Sequence, residues 1–295
     1  MDDKDVMTGL FEAHRDHLRA VAYRMLGSLS EADDAVQETW LRLSRTDTSD
    51  VENMGGWLTT VVGRVCLNML RSRRTRGEQP LETRMPDPVV SPEDGVDPEH
   101  EALLSDSVGL ALLVVLQTLE PAERLAFVLH DMFAVPFDEI APIVDRTPAA
   151  TRQLASRARR RVRGATAEPD ADLSRQRVVV DAFMTAARAG DFDALVAVLD
   201  PDIVLRVDQG ALATGRWLEL RGALAVAKQA LMFQRMAQVA QPVLVNGVPG
   251  LINTVGAQVV SVGAFTIAGG KVVAMDILAD ADRLSTLDLK AVQRS

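Results

Sequence analysis

Cysteine is almost absent: Cys66 is the single one in 295 residues. A lone thiol excludes an intramolecular disulfide and points to a reducing compartment. Set in an apolar helical stretch, it reads as a small buried hydrophobe. Long apolar runs are missing too. The longest, Val108 to Leu116, is too short to span a bilayer, and the acidic start Met1 to Asp5 is no secretory leader. The chain therefore reads as cytoplasmic, with no membrane partner. Histidine is scarce, and none follows His130. His14 and His17 lie one helical turn apart, but no Asp, Glu or Cys at ligand spacing completes a metal site. No metal and no cofactor is expected. No internal repeat occurs, and the length suits two or three domains of about 100–150 residues each.

Against a net charge of −9, one stretch carries no acid at all: Arg146 to Gly164, RTPAATRQLASRARRRVRG. Thr147 suits an N-cap and Pro148 the first helical position. At helical period Thr151, Leu154, Ala155, Ala158 and Val162 share one side. Ala149, Arg152, Gln153, Ser156, Arg160 and Arg163 share the other. Such a helix is often only a solvated surface. Here Pro121–Asp131 and Phe137–Val144 precede it as short amphipathic segments, and Asp145-Arg146-Thr147 is a tight connection. That order describes a helix-turn-helix whose last, basic helix reads DNA.

The N-terminal third reads as helix throughout. Val6–Met25 places Leu10, Phe11, Leu18, Val21 and Met25 near one face. Glu31–Leu43 buries Ala32, Val36, Trp40 and Leu43, leaving Asp33, Asp34, Gln37, Glu38 and Leu41 for another surface. Acids in a first turn also suit the helix dipole, so Asp33 and Asp34 have a purely structural reading. A third helix, from about Asn53 to Arg74, is apolar over most of its circumference. One polar strip survives: Thr60, Arg64, Asn68 and Arg71, headed by Trp57 and ending near Arg73, Arg74 and Arg76. Cations suit a helix C-terminus. Guanidinium, amide and aromatic groups in one line also suit nucleic acid, by donating to base edges and stacking on an unpaired base.

DDAVQETWLRL, then GGWLTTVVGRVCLNMLRSRR, then LEPAERLAFVLHD…FDEIAPIVDRTPAATRQLASRARRRVR together resemble an extracytoplasmic-function sigma factor of bacterial RNA polymerase. The likeness spans about residues 6–165 and rests on two motif blocks in the right order. It implies that the Asp33, Asp34, Gln37, Glu38, Trp40, Leu41 helix docks on the β′ coiled coil of core polymerase, whose β and β′ subunits are the expected partners. It implies that Trp57, Thr60, Arg64, Asn68, Arg71, Arg73 and Arg74 hold the melted −10 element. It implies that the Arg146–Arg163 helix reads the −35 duplex. Ala149, Arg152, Gln153 and Ser156 are the expected readers, with Thr147 and Arg157 beside them. Arg159, Arg160 and Arg163 are expected to grip phosphate, which positions without specifying.

Between the helical modules, Glu78–Asp106 carries nine acids against the single Arg84, with five prolines. By composition this is a solvated linker. By resemblance it threads the channel for nascent RNA, whose charge its acids mimic. Arg84-Met85-Pro86-Asp87-Pro88 resembles the Trp-Leu-Pro-Glu-Pro motif of the subgroup with a C-terminal extension, with Arg84 at the Trp position.

After Ala167–Asp170 the composition shifts to Val, Ala and Gly. Helices at Ser174–Ala189, on to Leu199, and at Gly222–Ala237 accompany strands at Asp202–Asp208, Val239–Asn246, Leu251–Val255, Gln258–Ile267 and Lys271–Leu278. The expected whole is multidomain: region 2 over 1–78 and region 4 over 106–167, both all-α, joined by an acidic linker over 79–105. An α+β domain follows over 168–295. That last part resembles the SnoaL-like cone, a sheet wrapped round a pocket. The subgroup's Asp-Gly-Gly-Gly motif is represented by Asp208-Gln209-Gly210-Ala211, and its Asn-Pro-Asp-Lys-Leu motif by Asp280-Ala281-Asp282-Arg283-Leu284.

A SnoaL-like domain is not by itself an enzyme. Acid–base chemistry here would rest on Asp208 or Asp276 with Arg206 or Arg235. Asp276, mid-strand in an apolar run, is a candidate base if it points inward. A regulatory role is favoured. It leaves room for a small-molecule ligand, with Arg206, Asp208, Asp276 and Asp280 as pocket or interdomain residues. The competing reading is a stand-alone helix-turn-helix regulator, or an enzyme fused to one.

Overall fold

The computed structural model describes residues 3–48, 51–75, 84–93, 109–165, 169–210, 217–256, 258–289 and 292. The chain divides into two compact units, Met1–Glu82 with Val115–Ala165, and Thr83–Val114 with Thr166–Ser295. Arg76, most of the acidic linker, the Ala167 junction and Ala211 lie outside the described residues.

The first unit is helical. Helices α1 (Asp3–Leu26), α2 (Leu29–Leu43) and α3 (Met54–Thr75) bury Leu18, Val21, Met25, Val36, Leu43, Leu58, Val62 and Leu67 between them. Helix α4 (Leu110–Gln117) follows the linker, and its end from Val115 onward belongs to this unit. Next come α5 (Pro121–Phe127), which widens into a π turn over Val128–Met132, then α6 (Phe137–Val144) and α7 (Pro148–Ala165). The turn between α6 and α7 is made by Asp145 in the left-handed region, φ 56°, a short polar residue that tolerates it. Thr147 then caps α7, its Oγ1 accepting from the Ala150 N–H at 3.2 Å. Thr151, Ala155 and Ala158 are the buried line of α7. Their small side chains let it lie close on α5. The helix-turn-helix expected from the sequence is thus in place.

The two helical modules touch within this unit, through α3 against α5 and α6. Gly63 of α3 marks the contact: a Cβ there would stand 3.0 Å from Leu129 Cδ1 and 3.4 Å from Leu125 Cδ1. A side chain there would have to push the ends of these leucines back by a few tenths of an ångström.

The second unit is α+β. Helix α8 (Leu173–Ala189) begins at the Asp172 cap, and α9 (Phe192–Val198) leads into strand β2 (Leu199–Asp208). Strands β3 (Trp217–Arg221), β4 (Ala240–Val245), β5 (Val248–Val255), β6 (Gln258–Ala268) and β7 (Lys271–Leu278) complete most of a seven-stranded sheet. With β1 (Val90–Ser91) at one edge, its order is β1-β4-β5-β6-β7-β2-β3. Among the described residues only β2 against β7 is parallel, and the other pairs are antiparallel. Register shifts at Leu199/Val204, Asn253/Thr254 and Thr266/Ile267 bend the sheet, as bulges do. The concave side packs on α8 and the helices after β3, around Phe183, Leu195, Leu205, Phe265 and Met275.

Three expectations change. The helix expected over Gly222–Ala237 is two, α10 (Ala223–Met232) and α11 (Gln234–Val239), broken at Phe233. The strand expected over Leu251–Val255 begins earlier, at Val248: Pro249 pairs with Leu244, and β6 joins β5 only from Gly250 onward, so the missing N–H goes unneeded.

The third change concerns the linker. Residues Met85 to Ser91 are buried, and Val90–Ser91 form β1, the edge strand beside β4. Proline at a sheet edge costs no ladder bond on the open side. A solvated reading, taken from acid and proline content, missed that Met85, Val89 and Val90 supply an apolar side.

Candidate nucleic-acid interface and the strap on the second unit

Seven arginines lie on or beside α7, and the structure sorts them. Arg157 and Arg161 both bind Glu123 of α5, at 2.8 and 3.3 Å, and Arg159 binds Asp131 at 2.6 Å. These three tie α7 to the helix beneath it. Arg160 and Arg163 are exposed, with no ion pair among the described residues. Ala149, Arg152, Gln153 and Ser156 form an exposed patch on the first turns. The Arg152 guanidinium lies 5.3 Å over the Phe137 ring, which in turn stacks on His130 at 3.8 Å. A cation held against an aromatic face is oriented before any ligand arrives.

On α3, Arg64, Asn68 and Arg71 are exposed in one line, with Thr60 and Trp57 half-buried above them. The Thr60 hydroxyl donates to the Trp57 carbonyl at 2.8 Å. The upper part of this strip faces α6: an Arg64 Nη donates to the Pro142 carbonyl at 3.4 Å. A cleft of about 460 Å³ lies there, with Trp57, Thr60 and Arg64 on one wall and Glu139, Pro142 and Ile143 on the other. Arg73 and Arg74 differ from their neighbours, being paired with Glu31 and Glu120. On α2, Asp33, Asp34, Gln37 and Leu41 are exposed and Glu38 half-buried. Asp33 accepts from Arg19 at 2.7 Å, and Glu38 from Arg42 at 2.9 Å. Trp40 turns inward, its ring 5.1 Å from Phe11.

In the second unit, residues Arg84–Ser91 lie as a strap across the sheet, held by one buried cation. Arg283 donates to Asp208 Oδ2 at 2.8 Å, to Asp87 Oδ1 at 2.5 Å and to the Met85 carbonyl at 2.6 Å. The Met85 N–H returns a bond to Asp208 at 2.9 Å. Farther along, the Val89 N–H donates to Asn246 Oδ1, and the Asn246 N–H donates to the Val89 carbonyl. Arg177 donates to the Glu93 carbonyl at 3.0 Å. Gly210 completes the cluster at φ +80°, where a Cβ would meet Asp280 Cγ at 2.5 Å. Asp280 itself caps α12 (Ala281–Leu284), accepting from the Asp282 and Arg283 N–H groups. Three motif remnants, distant in sequence, therefore form one knot: Met85–Asp87, Asp208–Gly210 and Asp280–Arg283. Three of the departures keep the chemistry: aspartate for glutamate at 87, arginine for lysine at 283 and one capping residue for another at 280. Arg84, at the Trp position, is exposed.

Comparison with known proteins decides the family. Residues 10–76 match the Sigma-70 region 2 model and residues 109–162 the Sigma-70 region 4 model. The chain is 39% identical to the ECF RNA polymerase sigma factor SigJ of Mycobacterium tuberculosis, over 95% of this chain and 94% of that protein. This chain belongs to the extracytoplasmic-function sigma factors. It is also 37% identical to the probable ECF RNA polymerase sigma factor SigI of the same species, over 73% of this chain and 75% of that one. The crystal structure of the M. tuberculosis SigJ factor superposes with a TM-score of 0.78 at 36% identity, covering 96% of this chain and 99% of that one. The multidomain architecture, two helical sigma modules and an α+β domain, is thereby established for this sigma factor.

Within the sigma factor, the four residues grouped as pocket or interdomain do not line the cavity of the second unit. Along β2 and β7 the odd positions Leu205, Val207, Met275 and Ile277 face that cavity. Arg206, Asp208 and Asp276 alternate to the other side, and Asp280 is occupied as a helix cap. Asp276 as an inward-pointing base is thus corrected by strand parity. Its Oδ1 accepts from Arg206 at 3.0 Å, while Oδ2 is buried without a partner. Burial raises its carboxyl above the ordinary range, against the opposing pull of Arg206.

The sign of that shift gives a measurable consequence. Between the ordinary carboxylate value and the raised one, the folded chain holds a proton that the unfolded chain has lost. Stability from this group therefore falls as pH rises above about 4, with a slope of at most about 1.4 kcal/mol per pH unit. Asp276→Asn is expected to flatten this part of the stability–pH curve of the second unit. Denaturation at pH steps from 4 to 7 checks it; an unchanged slope would assign the proton elsewhere.

Among the described residues no helix is long and apolar enough to cross a membrane. No group of three or more His, Cys, Asp or Glu among them could hold a metal ion.

Proposed function

We propose that this sigma factor binds core RNA polymerase in the cytoplasm through the exposed face of α2. It then reads promoters with two surfaces: the first turns of α7 on the −35 duplex and the α3 strip on the melted −10 strand. The second unit acts as a regulator and not as an enzyme, a reading supported by a cavity wall with no titratable side chain among the described residues.

The observation that carries the proposal is the division of labour among the cations. Arg157, Arg159 and Arg161 are spent on holding the helix-turn-helix together. Arg160 and Arg163 stay open for phosphate, beside an exposed polar patch of the size a reading helix offers to bases. The half-covered strip at Trp57, Thr60 and Arg64 adds a requirement. Trp57 and Thr60 open fully to a DNA strand when α6 moves off them, so polymerase binding is expected to separate the two modules.

In vitro transcription with core polymerase tests this. The full chain should yield a promoter-dependent transcript. Asp34→Ala with Leu41→Ala removes two exposed groups of α2 without breaking an ion pair. That double variant should weaken core binding about 5–30-fold, given a loss of about 1–2 kcal/mol for an apolar and a charged contact. No transcript from the wild-type chain, together with tight duplex binding in the absence of core, would instead identify a stand-alone regulator. Truncation near Ala167 is a poor comparison, since it strips Met85, Val89 and Val90 of the sheet that buries them.

A further inference from the structure

The cavity of the second unit encloses about 580 Å³ between α8, α10, α11 and the concave side of the sheet. That volume falls within the range of sites for drug-sized molecules. Among the described residues its wall holds no Asp, Glu, Lys, Arg, His or Cys. An ion entering it would lose its hydration and find no counter-charge, at a cost of several kcal/mol.

Polar groups are few, and one is unpaired. Asn253 on β5 stands opposite Ser261 on β6, and its Nδ2 donates to the Ser261 hydroxyl at 2.9 Å. Its Oδ1 is buried and accepts nothing. A buried amide oxygen without a donor is costly and uncommon in a folded protein, and this one belongs to a residue of the cavity wall. Asn253 and Ser261 together make a polar spot in that wall.

The mouth is apolar as well. Phe233, at the break between α10 and α11, and Val255, at the end of β5, both border the cavity, yet are 52% and 62% exposed. Helix α11 buries none of its residues. Large apolar side chains around the opening of an apolar cavity favour a ligand that leaves water readily.

We propose that this cavity is a binding site for an uncharged, largely hydrocarbon molecule carrying one hydroxyl or N–H group, which bonds to the Asn253–Ser261 pair of its wall. The proposal goes beyond the promoter-reading function and does not depend on it.

The test uses the full chain and the neutral dye N-phenyl-1-naphthylamine, which brightens in apolar surroundings and carries one N–H. It should bind saturably at one site per chain. Displacement of the bound dye should rank 1-naphthol first, naphthalene second and naphthalene-1-sulfonate last. The hydroxyl should gain about 3–10-fold over the bare ring, the worth of one net hydrogen bond. The sulfonate should fall at least about tenfold below naphthol. Asn253→Leu should bring naphthol and naphthalene together while the dye still binds. Ala230→Trp, filling the cavity from α10, should abolish dye binding. The proposal is overturned if the sulfonate displaces as well as naphthol does, if Asn253→Leu keeps the naphthol preference, or if Ala230→Trp leaves binding unchanged.

Discussion

Arg283→Ala is expected to release the strap and expose residues 84–91 to solvent. In the wild-type chain Arg283 satisfies two carboxylates and one carbonyl, with Asp208 almost wholly buried. Remove the cation and Asp208 keeps only the Met85 and Gly210 N–H groups, while Asp87 loses its partner in Arg283. Leaving a buried carboxylate without its counter-charge costs about 3–5 kcal/mol. That exceeds what a two-residue edge strand and a few apolar contacts can hold. The strap therefore opens locally before the sheet does. Hydrogen exchange reads the result: protection of the Met85 and Val89 amides should fall by about 10²–10³-fold, at 1.4 kcal/mol per factor of ten. Amides of α7 should not change. Arg283→Lys should land between, since one ammonium cannot reproduce a fork that reaches three acceptors. Unaltered strap exchange in Arg283→Ala would show that the β1 pairing, not the knot, holds the segment.

That knot also shows where the sequence was legible and where it was not. The helices of the first unit follow from periodicity, because a helix writes its buried face into the chain every three to four residues. Thr147-Pro148 announces α7 through local cap chemistry, and the Thr147 cap is present. The strap has no such local mark. Its anchor Arg283 lies 196 residues from Asp87, and nothing in either neighbourhood foretells the pairing. Composition misleads there, since acids and prolines dominate by number while Met85, Val89 and Val90 decide the burial. The residues grouped as pocket or interdomain divide for a different reason: none lines the cavity, while Asp208 joins the strap. Arg206, Asp208 and Asp276 are charged groups in apolar strands, which invites a chemical role. Strand parity gives the side each one faces relative to its neighbours, but not which side is concave. Asn253 and Ser261 were passed over because neither titrates. Their meaning comes only from cross-strand register and from one oxygen left without a donor. On α7 the sequence marks every arginine alike; Glu123 and Asp131 on the neighbouring helix separate the structural ones from the open ones.

The same separation gives the last prediction, at promoter DNA with the polymerase-bound sigma factor. Arg152→Ala and Arg160→Ala each remove one exposed guanidinium from α7 and should behave differently. Arg152 is on the first turns, oriented over Phe137, where a reading helix meets base edges. If it forms a paired contact with a guanine, its loss should cost about 1–3 kcal/mol at one −35 position, roughly 5–150-fold, and little elsewhere. Arg160, farther along and without an ion pair among the described residues, is the one proposed to meet phosphate. Its loss should weaken all promoter sequences by a similar factor and reduce the slope of log affinity against log salt by about 0.9. Arg157→Ala should follow neither pattern. It breaks a bond to the buried Glu123, so its effect should appear as a lower melting temperature of the first unit before any change in sequence preference. A set of −35 single-base variants, assayed at several salt concentrations with each protein, resolves all three. If Arg152→Ala weakened every promoter equally while Arg160→Ala altered discrimination at one position, α7 would lie in the groove shifted by about two turns from the placement argued here.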